Sequence, residues 1–411
     1  MQLLRLATTG SVDDGKSTLI GRLLHDAKLL LEDQVEAVAA STARRGGEGL
    51  DLSLVTDGLR AERVQGITID VAYRYFATPT RAFIVADTPG HVQYTRNMVT
   101  GASTSDVAVL LVDARHGVRE QTRRHAAVAA LLGVHHLVLA VNKLDLVGWS
   151  ADRYHEIVAD VHALAAGLGV AEVHLVPISA LHGDNVVDPS PNTPWYVGPT
   201  LLGLLETLPI DDAVAASTGL RLPVQLVIRP RVGSGEGRWY AGHLSGGSVA
   251  PGQEVVVLPS ARTTTITAVE GDGAAVRVQL ADELDVARGD LLAAADDRPI
   301  VVTELEATVC WFSEQPLRAG DRLLVKHTTR TVPARVVAIE HRLDVETMEH
   351  HATDVLEMND LGRVRLVTAT PLVVDAYRRN RRTGSFIAVD ERTNATVAAG
   401  LVADRQGSGE P

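Results

Sequence analysis

At 411 residues, 45% of them hydrophobic and 22% charged, the chain is too long for one ordinary domain. It has apolar material for two or three buried cores, which excludes a disordered or fibrous protein. Acidic residues outnumber basic ones, 51 to 39, for a formal charge of −12, which argues against a nucleic-acid binder working through bulk positive field. The single cysteine, Cys310, excludes an internal disulfide and reads as a buried strand thiol within Val309-Cys310-Trp311, as expected in a reducing cytoplasm. No apolar run approaches the ~18 residues of a bilayer span. The first strand starts too near Met1 to leave room for a signal peptide, so a cytoplasmic location is expected.

In chain order, a β-branched run over Leu3–Thr9 leads into Gly10-Ser11-Val12-Asp13-Asp14-Gly15-Lys16-Ser17, a complete G-x-x-x-x-G-K-[ST] phosphate loop. A helix starts at Lys16, with Thr18 continuing it and Leu19, Ile20, Leu23 and Leu24 on one side. Thr42–Val55, with Gly46-Gly47, and then Glu62–Asp70 read as a mobile switch region. Apolar runs at Ala82–Ala86, Val107–Val112, His136–Val141 and Leu175–Ile178 each end at a polar island. Helical stretches such as Gln121–Leu132 separate them. Continuous apolar strands alternating with helices predict an α/β domain, a mostly parallel sheet with helices on both faces. Ligands of such sheets collect at the strands' carboxyl ends, where every island falls.

Past a small, polar linker at Asp211–Gly219, the periodicity changes. Short alternating strands at Val224–Ile228, Gly242–Leu244, Glu254–Leu258, Thr264–Val269 and Ala275–Leu280 predict an all-β barrel. A break at Asp296-Asp297-Arg298-Pro299 precedes a second strand-rich segment from Val301 to about Val402. The expected division is a nucleotide domain over 1–212, barrels over 218–298 and 299–405, and a flexible tail at 406–411.

Each island supplies one part of a nucleotide site. The loop glycines let backbone N–H groups converge on phosphates at a helix N-terminus. Lys16 places charge between the β- and γ-phosphates, and the Ser17 hydroxyl is a ligand for Mg²⁺. Asp87, ending a strand in Asp87-Thr88-Pro89-Gly90, holds the same ion through water, as a Walker-B aspartate does. Gly90 can sense the γ-phosphate through its N–H, Thr68 can close on the magnesium when that phosphate is present, and His91 stands where a water-orienting residue belongs. In Asn142-Lys143-Leu144-Asp145 the carboxylate of Asp145 matches the two donors on the edge of guanine, whereas adenine would leave it unpaired. Asn142 and Lys143 brace the loop and stack on the base, and Ser179-Ala180-Leu181 offers a backbone N–H to the guanine oxygen. The ligands expected are therefore GTP and Mg²⁺, and the chemistry is hydrolysis.

These motifs together, Gly10–Ser17, Gly66–Asp70, Asp87–His91 and Asn142–Asp145, resemble the translational GTPases of the elongation-factor Tu type. Longer stretches are similar to the GTPase subunit of bacterial sulfate adenylyltransferase: Asp57-Gly58-Leu59, Gly66–Phe76, Gln93–Met98, Gly101–Thr104, Gln121–His125, Gly183–Val187, Pro194-Trp195-Tyr196, Asn380–Ile387 and Asn394–Gly400. That resemblance implies a heterodimer or larger assembly with an ATP pyrophosphatase-like small subunit that makes adenosine 5′-phosphosulfate and pyrophosphate from ATP and sulfate. GTP hydrolysis here would drive that step. Val64 and Val92 stand where that family often has Glu, and Arg60 and Arg63 are nearby candidates for a hydrolytic arginine. Neither the family's N-terminal extension nor a second phosphate loop, which a fused adenylylsulfate kinase would bring, is read in this sequence. The alternative is an elongation-factor-like GTPase delivering an aminoacyl-tRNA, which shares the nucleotide motifs and the barrels.

Three further patterns attract attention. Ser245-Gly246-Gly247-Ser248 imitates a pyrophosphatase loop but has Val249 where Asp is required, and reads as a barrel turn. His341, His350 and His351 lie near Asp344, Glu346, Glu349 and Asp354 without a compact metal-ligand spacing. Arg378–Arg382 reads as a solvated loop or a partner contact rather than a nucleic-acid site.

Overall fold

The computed structural model describes residues 2–30, 32–44, 50–55, 70–91, 94–134, 136–168, 170, 172–209, 218–229, 237–345 and 347–404. It divides into two units, the first essentially residues 1–210 and the second the remainder.

The first unit is built on β1 (Gln2–Thr9), β2 (Ala72–Ala77), β3 (Arg81–Asp87), β4 (Val107–Asp113), β5 (His136–Asn142) and β6 (Val173–Pro177), in the order β2-β3-β1-β4-β5-β6. Five of these strands run parallel, while β2 pairs antiparallel with β3. Every residue of β4 and β5 is buried, as expected of parallel strands covered on both faces. The helices are α1 (Lys16–Asp26), α2 (Glu32–Arg44), α3 (Thr95–Ala102), α4 (Glu120–Leu131), α5 (Ala151–Leu168) and α6 (Leu201–Thr207). Leu19, Ile20 and Leu23 of α1 join Leu4, Phe83, Leu111 and Leu205 in one continuous core. Among the described residues no helix is long and apolar enough to cross a membrane.

The strand and helix expectations in this half hold to within a residue or two. The Thr42–Val55 segment, read as a switch, has regular structure on both sides of residues 45–49, which lie outside the described residues. Thr42 sits in α2, buried, and accepts a 3.0 Å hydrogen bond from the Asp51 N–H. A short 3-10 helix at Leu52–Val55 then buries Leu52 against Gly21, where any Cβ would overlap the Leu52 carbonyl. Residues 56–69, and with them the expected switch segment Glu62–Ile69, lie outside the described residues, as do most of the expected linker and the tail.

The second unit contains a closed barrel of β7 (Arg221–Ile228), β8 (Trp239–His243), β9 (Glu254–Leu258), β10 (Arg262–Asp272), β11 (Ala275–Leu280) and β12 (Leu291–Ala294), in the order β10-β11-β8-β7-β12-β9. Leu222, Val224, Val255, Val257, Ile266 and Leu292 fill it. A seven-stranded sheet follows. It comprises β13 (Ile300–Trp311), β15 (Arg322–His327), β16 (Arg330–Leu343), β17 (His350–His351), β19 (Leu361–Val374), β20 (Ser385–Val389) and β21 (Thr396–Val402), with β14 (Leu317–Arg318) and β18 (Val355–Leu356) paired separately; β15 also pairs with β16, so all but β17 return on themselves. Cys310 is buried in β13, as expected.

Arg221, the largest fully buried side chain, ties the two barrels together. Its guanidinium forms a bidentate pair with Asp375, Nε to Oδ2 at 2.9 Å and Nη2 to Oδ1 at 3.0 Å, and donates to the Asp297 carbonyl at 2.7 Å. Thr383 Oγ1 completes the carboxylate at 2.7 Å. In the basic run beside it Arg378, Arg379 and Arg382 are exposed, as expected of a solvated loop, but the run is anchored: Asn380 is buried, donates to the Ser245 carbonyl at 2.6 Å and accepts from the N–H of Thr383, while Arg379 pairs with Asp297. The Ser245–Ser248 turn is the receiving surface, with Gly247 at φ +62°. Removing one partner of a buried pair strands the other charge, so Asp375→Ala should destabilise the second unit by about 3–5 kcal/mol. Calorimetry should show its transition fall while that of the nucleotide unit stays in place; an unchanged transition would contradict the clamp.

Candidate nucleotide-binding site

Four loops meet at the carboxyl ends of β1, β3, β5 and β6. The first is the phosphate loop between β1 and α1. Its turn places Gly15 in the left-handed region at φ +96°, and a Cβ there would sit 2.5 Å from Asn142 Nδ2, so only glycine fits. Lys16 is buried, and its ammonium donates to the Gly10 carbonyl at 2.9 Å and the Ser11 carbonyl at 2.8 Å. Burial pushes the Lys16 pKa down, opposed by the charges of Asp87, Asp14 and Asp13. Asp14 accepts the Ser11 N–H at 2.7 Å, and burial holds its carboxyl above the usual range. The Ser11 hydroxyl is sealed from solvent without a partner. Val12 and Asp13 are exposed at the loop's tip, and Ser17 and Thr18 are half-buried on the first turn of α1.

The second loop follows β3. Asp87 is buried beside Thr8, whose hydroxyl lies 3.4 Å from its Oδ1. Thr88 Oγ1 donates to the Thr8 carbonyl at 2.6 Å, locking this loop to β1. Gly90 abuts the phosphate loop: a Cβ there would collide with Lys16 Nζ and lie 2.5 Å from the Gly10 carbonyl. The half-buried His91 ring stands 6.0 Å from that of Tyr94. Thr68, Val64, Val92, Arg60 and Arg63 lie outside the described residues.

The third and fourth loops are joined by Asn142. Its Nδ2 donates to the Asp14 carbonyl at 2.7 Å while its Oδ1 accepts the Ala180 N–H at 2.9 Å. One amide therefore bridges the phosphate loop, the end of β5 and the Ser179-Ala180-Leu181 turn. Lys143, in a left-handed conformation at φ +62°, donates to the Asp13 carbonyl and pairs with Asp113 at 3.0 Å. Burial opposes ionisation of Asp113, but hydrogen bonds from Arg115 and Lys143 outweigh it and hold its carboxyl well below the usual range. Asp113 and Arg115 were not singled out in the sequence; a carboxylate ending the strand next to β5 was the available signal. Asp145 opens the short 3-10 helix Leu144–Val147, and its Oδ1 is buried with no partner. Ser179 is fully buried, whereas Leu181 is exposed and Arg22 Nε fixes the turn through the Ala180 carbonyl at 3.1 Å. Asn142 thus takes the Ala180 N–H, one of the backbone donors of the 179–181 turn.

The arrangement offers a cradle of backbone groups and one ammonium at one end. At the other end it offers an unpaired carboxylate oxygen for a ligand with adjacent donors. His125, on the buried face of α4, lies below: burial, with the Lys16 and Arg124 charges adding to it, pushes its imidazole down to about 3.

Two outcomes are expected. Asn142→Ala strands two buried backbone groups at about 1–3 kcal/mol each, so GTP affinity measured by calorimetry should fall roughly 30-fold or more; a change within twofold would contradict the bridging role. Between pH ~6.5, the ordinary histidine value, and about 3, the unfolded chain binds a proton at His125 that the folded chain does not. Stability present above that window is lost as pH falls through it, by up to ~1.4 kcal/mol per pH unit. Urea unfolding of His125→Gln should show a correspondingly flatter acid limb, and an unchanged slope would refute the assignment.

Residues 1–227 match the family described as the elongation factor Tu GTP binding domain, and residues 304–403 match the family described as GTP-eEF1A C-terminal domain-like. The chain is 55% identical over 415 residues to the bifunctional enzyme CysN/CysC of Mycobacterium tuberculosis, covering 97% of this chain and 67% of that protein. To sulfate adenylyltransferase subunit 1 of Teredinibacter turnerae it is 49% identical over 411 residues, covering 97% of this chain and 87% of that one. To the protein of the same name from Cellvibrio japonicus it is 48% identical over 415 residues, with 98% and 87% covered. With these matches and the loops at Gly10–Ser17, Asp87–His91, Asn142–Asp145 and 179–181 brought together, the chain belongs to the family of sulfate adenylyltransferase subunit 1, the GTPase subunit of sulfate activation within the elongation-factor-Tu-like GTPases.

Proposed function

We propose that this chain hydrolyses GTP and couples that hydrolysis to formation of adenosine 5′-phosphosulfate and pyrophosphate from ATP and sulfate on an ATP pyrophosphatase-like partner subunit. Together the two form a nucleotidyltransferase complex of the cytoplasm. The observation that carries the reading is the match to subunits of that name over 97–98% of this chain, joined to the buried, unpaired Oδ1 of Asp145 in the loop after β5. The aminoacyl-tRNA carrier reading shares the motifs but is less supported, because the full-length matches quoted above bear sulfate-activation names.

In this reading Lys16 exchanges its two loop carbonyls for the β- and γ-phosphate oxygens. The N–H groups of 10–18 cradle the phosphates. The Gly90 N–H reports the γ-phosphate from a position where a side chain has no room. The hard oxygen donors Ser17, Asp87 and Thr68 suit Mg²⁺, and two of them, Ser17 and Asp87, flank the buried Lys16. Bound there, the ion would neutralise charge on the β,γ-oxygens. Hydrolysis needs positioning more than a strong base, so His91 orients the attacking water and the tied loops fix the line of attack. Asp145 accepts from the guanine edge, Asn142 and Lys143 hold its loop, and the turn at 179–181 faces the guanine oxygen. The division at 1–212, 218–298 and 299–405 belongs to the same proposal.

Two experiments test it. Co-purified with the candidate small subunit, the chain should hydrolyse GTP faster when ATP and sulfate are both present than when either is withheld; an equal rate in all conditions would refute coupling. His91→Ala should lower the hydrolysis rate about 100-fold or more with GTP affinity retained within a few-fold, and an unchanged rate would remove His91 from the mechanism.

A further inference from the structure

At the opposite edge of the same sheet, remote from the nucleotide loops, His136 opens β5 and His174 lies in β6, with Glu172 just before that strand. The parallel register aligns Val138 with His174, so the two histidines stand two positions apart on neighbouring strands and project to the same face. One ligand atom from each of the three residues lies within 4.8 Å of the others, and this is the single such His, Cys, Asp or Glu cluster among the described residues.

The tautomers are informative. His136 Nε2 lies 2.8 Å from the Pro209 carbonyl, which can only accept, so Nε2 carries the hydrogen and Nδ1 of the neutral ring presents its lone pair. That Nδ1 is buried on a residue only 8% exposed, and it makes no hydrogen bond although Glu172 Oε2 is 3.4 Å away. His174 Nε2 is likewise buried and unpartnered. Orphaned buried ring nitrogens are expensive, and two converging on one carboxylate call for a shared occupant. We propose that His136 Nδ1, His174 Nε2 and Glu172 bind a zinc ion that staples β5 to β6.

The donor set is the borderline-soft nitrogen and carboxylate mixture that zinc prefers. The His136–Pro209 bond is the outer hydrogen bond that orients a metal-ligating imidazole. Burial, with the neighbouring His136 adding to it, lowers the His174 pKa, which favours the neutral imidazole a metal needs. At Zn–N distances near 2.0–2.1 Å, tetrahedral ligand atoms sit roughly 3.3 Å apart. His136 Nδ1 and Glu172 Oε2 already stand 3.4 Å apart, so any closure on binding falls on the approach of His174, whose ring centroid lies 5.9 Å from that of His136. An open hollow of about 440 Å³, lined in part by His162, Ala166, Glu172 and His174, gives a hydrated ion access. The imidazole and carboxylate of the metal-free site have one competing use, an ion pair between protonated His136 and Glu172.

The test uses the whole chain, stripped with chelator and titrated with zinc chloride by calorimetry, and with Co²⁺ followed by visible absorption. One zinc per chain at micromolar affinity or tighter is expected, with a Co²⁺ spectrum of four- or five-coordinate intensity and a raised melting temperature. His174→Ala and Glu172→Gln should each weaken zinc binding at least tenfold while GTP affinity stays at the wild-type value, which also reports an intact fold. No zinc binding below 100 μM, or unchanged affinity in His174→Ala, would overturn the proposal. In the first case, an NMR titration showing His136 protonated and paired with Glu172 would identify the occupant as a proton.

Discussion

Folding leaves one oxygen of Asp145 out of water and without a donor, and the α/β unit is arranged around that debt. A buried charged acceptor without a partner is disfavoured by about 1–3 kcal/mol or more, and it persists only where the surrounding structure holds it fixed. Here the restraint is the all-buried strand β5, which delivers the loop, and Asn142, which nails it to the phosphate loop on one side and the 179–181 turn on the other. A ligand with two adjacent donors satisfies the carboxylate; one without them leaves the penalty standing. On the function proposed above, base choice would follow from which groups the fold leaves unpaired.

The same economy joins base to phosphate. The Asn142 and Lys143 side chains both end on carbonyls of the phosphate loop, those of Asp14 and Asp13. Asp113, held ionised by Arg115 and Lys143, anchors the second of them from the neighbouring strand. Gly90 and Lys16 meet at the other end of the loop with no room for a side chain between them. A shift of the backbone at Gly90 would therefore be felt at the Lys16 ammonium. The second unit has its own constraint, the buried Arg221–Asp375 pair that links its two barrels.

What could be read from sequence tracks how local the determinants are. The phosphate loop, Asp87–Gly90 and Asn142–Asp145 are contiguous motifs at the ends of continuous apolar runs, and both features survive in one dimension. Strand β2 was not legible, because as an edge strand it exposes alternate residues, among them Tyr73 and Tyr75. The structure flanking residues 45–49 was hidden because it rests on the hydrogen bond between Thr42 and Asp51 and on the packing of Leu52 against Gly21. The anchoring of the basic run at 378–382 was hidden for the same reason: the partners of Asn380 and Arg379, Ser245 and Asp297, are more than eighty residues away. His136 and His174 have no ligand-like spacing, and only the register of β5 against β6 brings them together.

The most direct measurement is calorimetry of Asp145→Asn with GTP and with xanthosine triphosphate, each with magnesium. Asparagine replaces an acceptor by a donor, and xanthine replaces the amino donor of guanine by an acceptor. Two charge-assisted bonds at about 1.5–3 kcal/mol each predict that GTP affinity falls by roughly 10²–10⁴-fold, with xanthosine triphosphate then bound more tightly than GTP. Undiminished GTP binding by this variant, or no preference of the unaltered chain for GTP over ATP, would contradict the account.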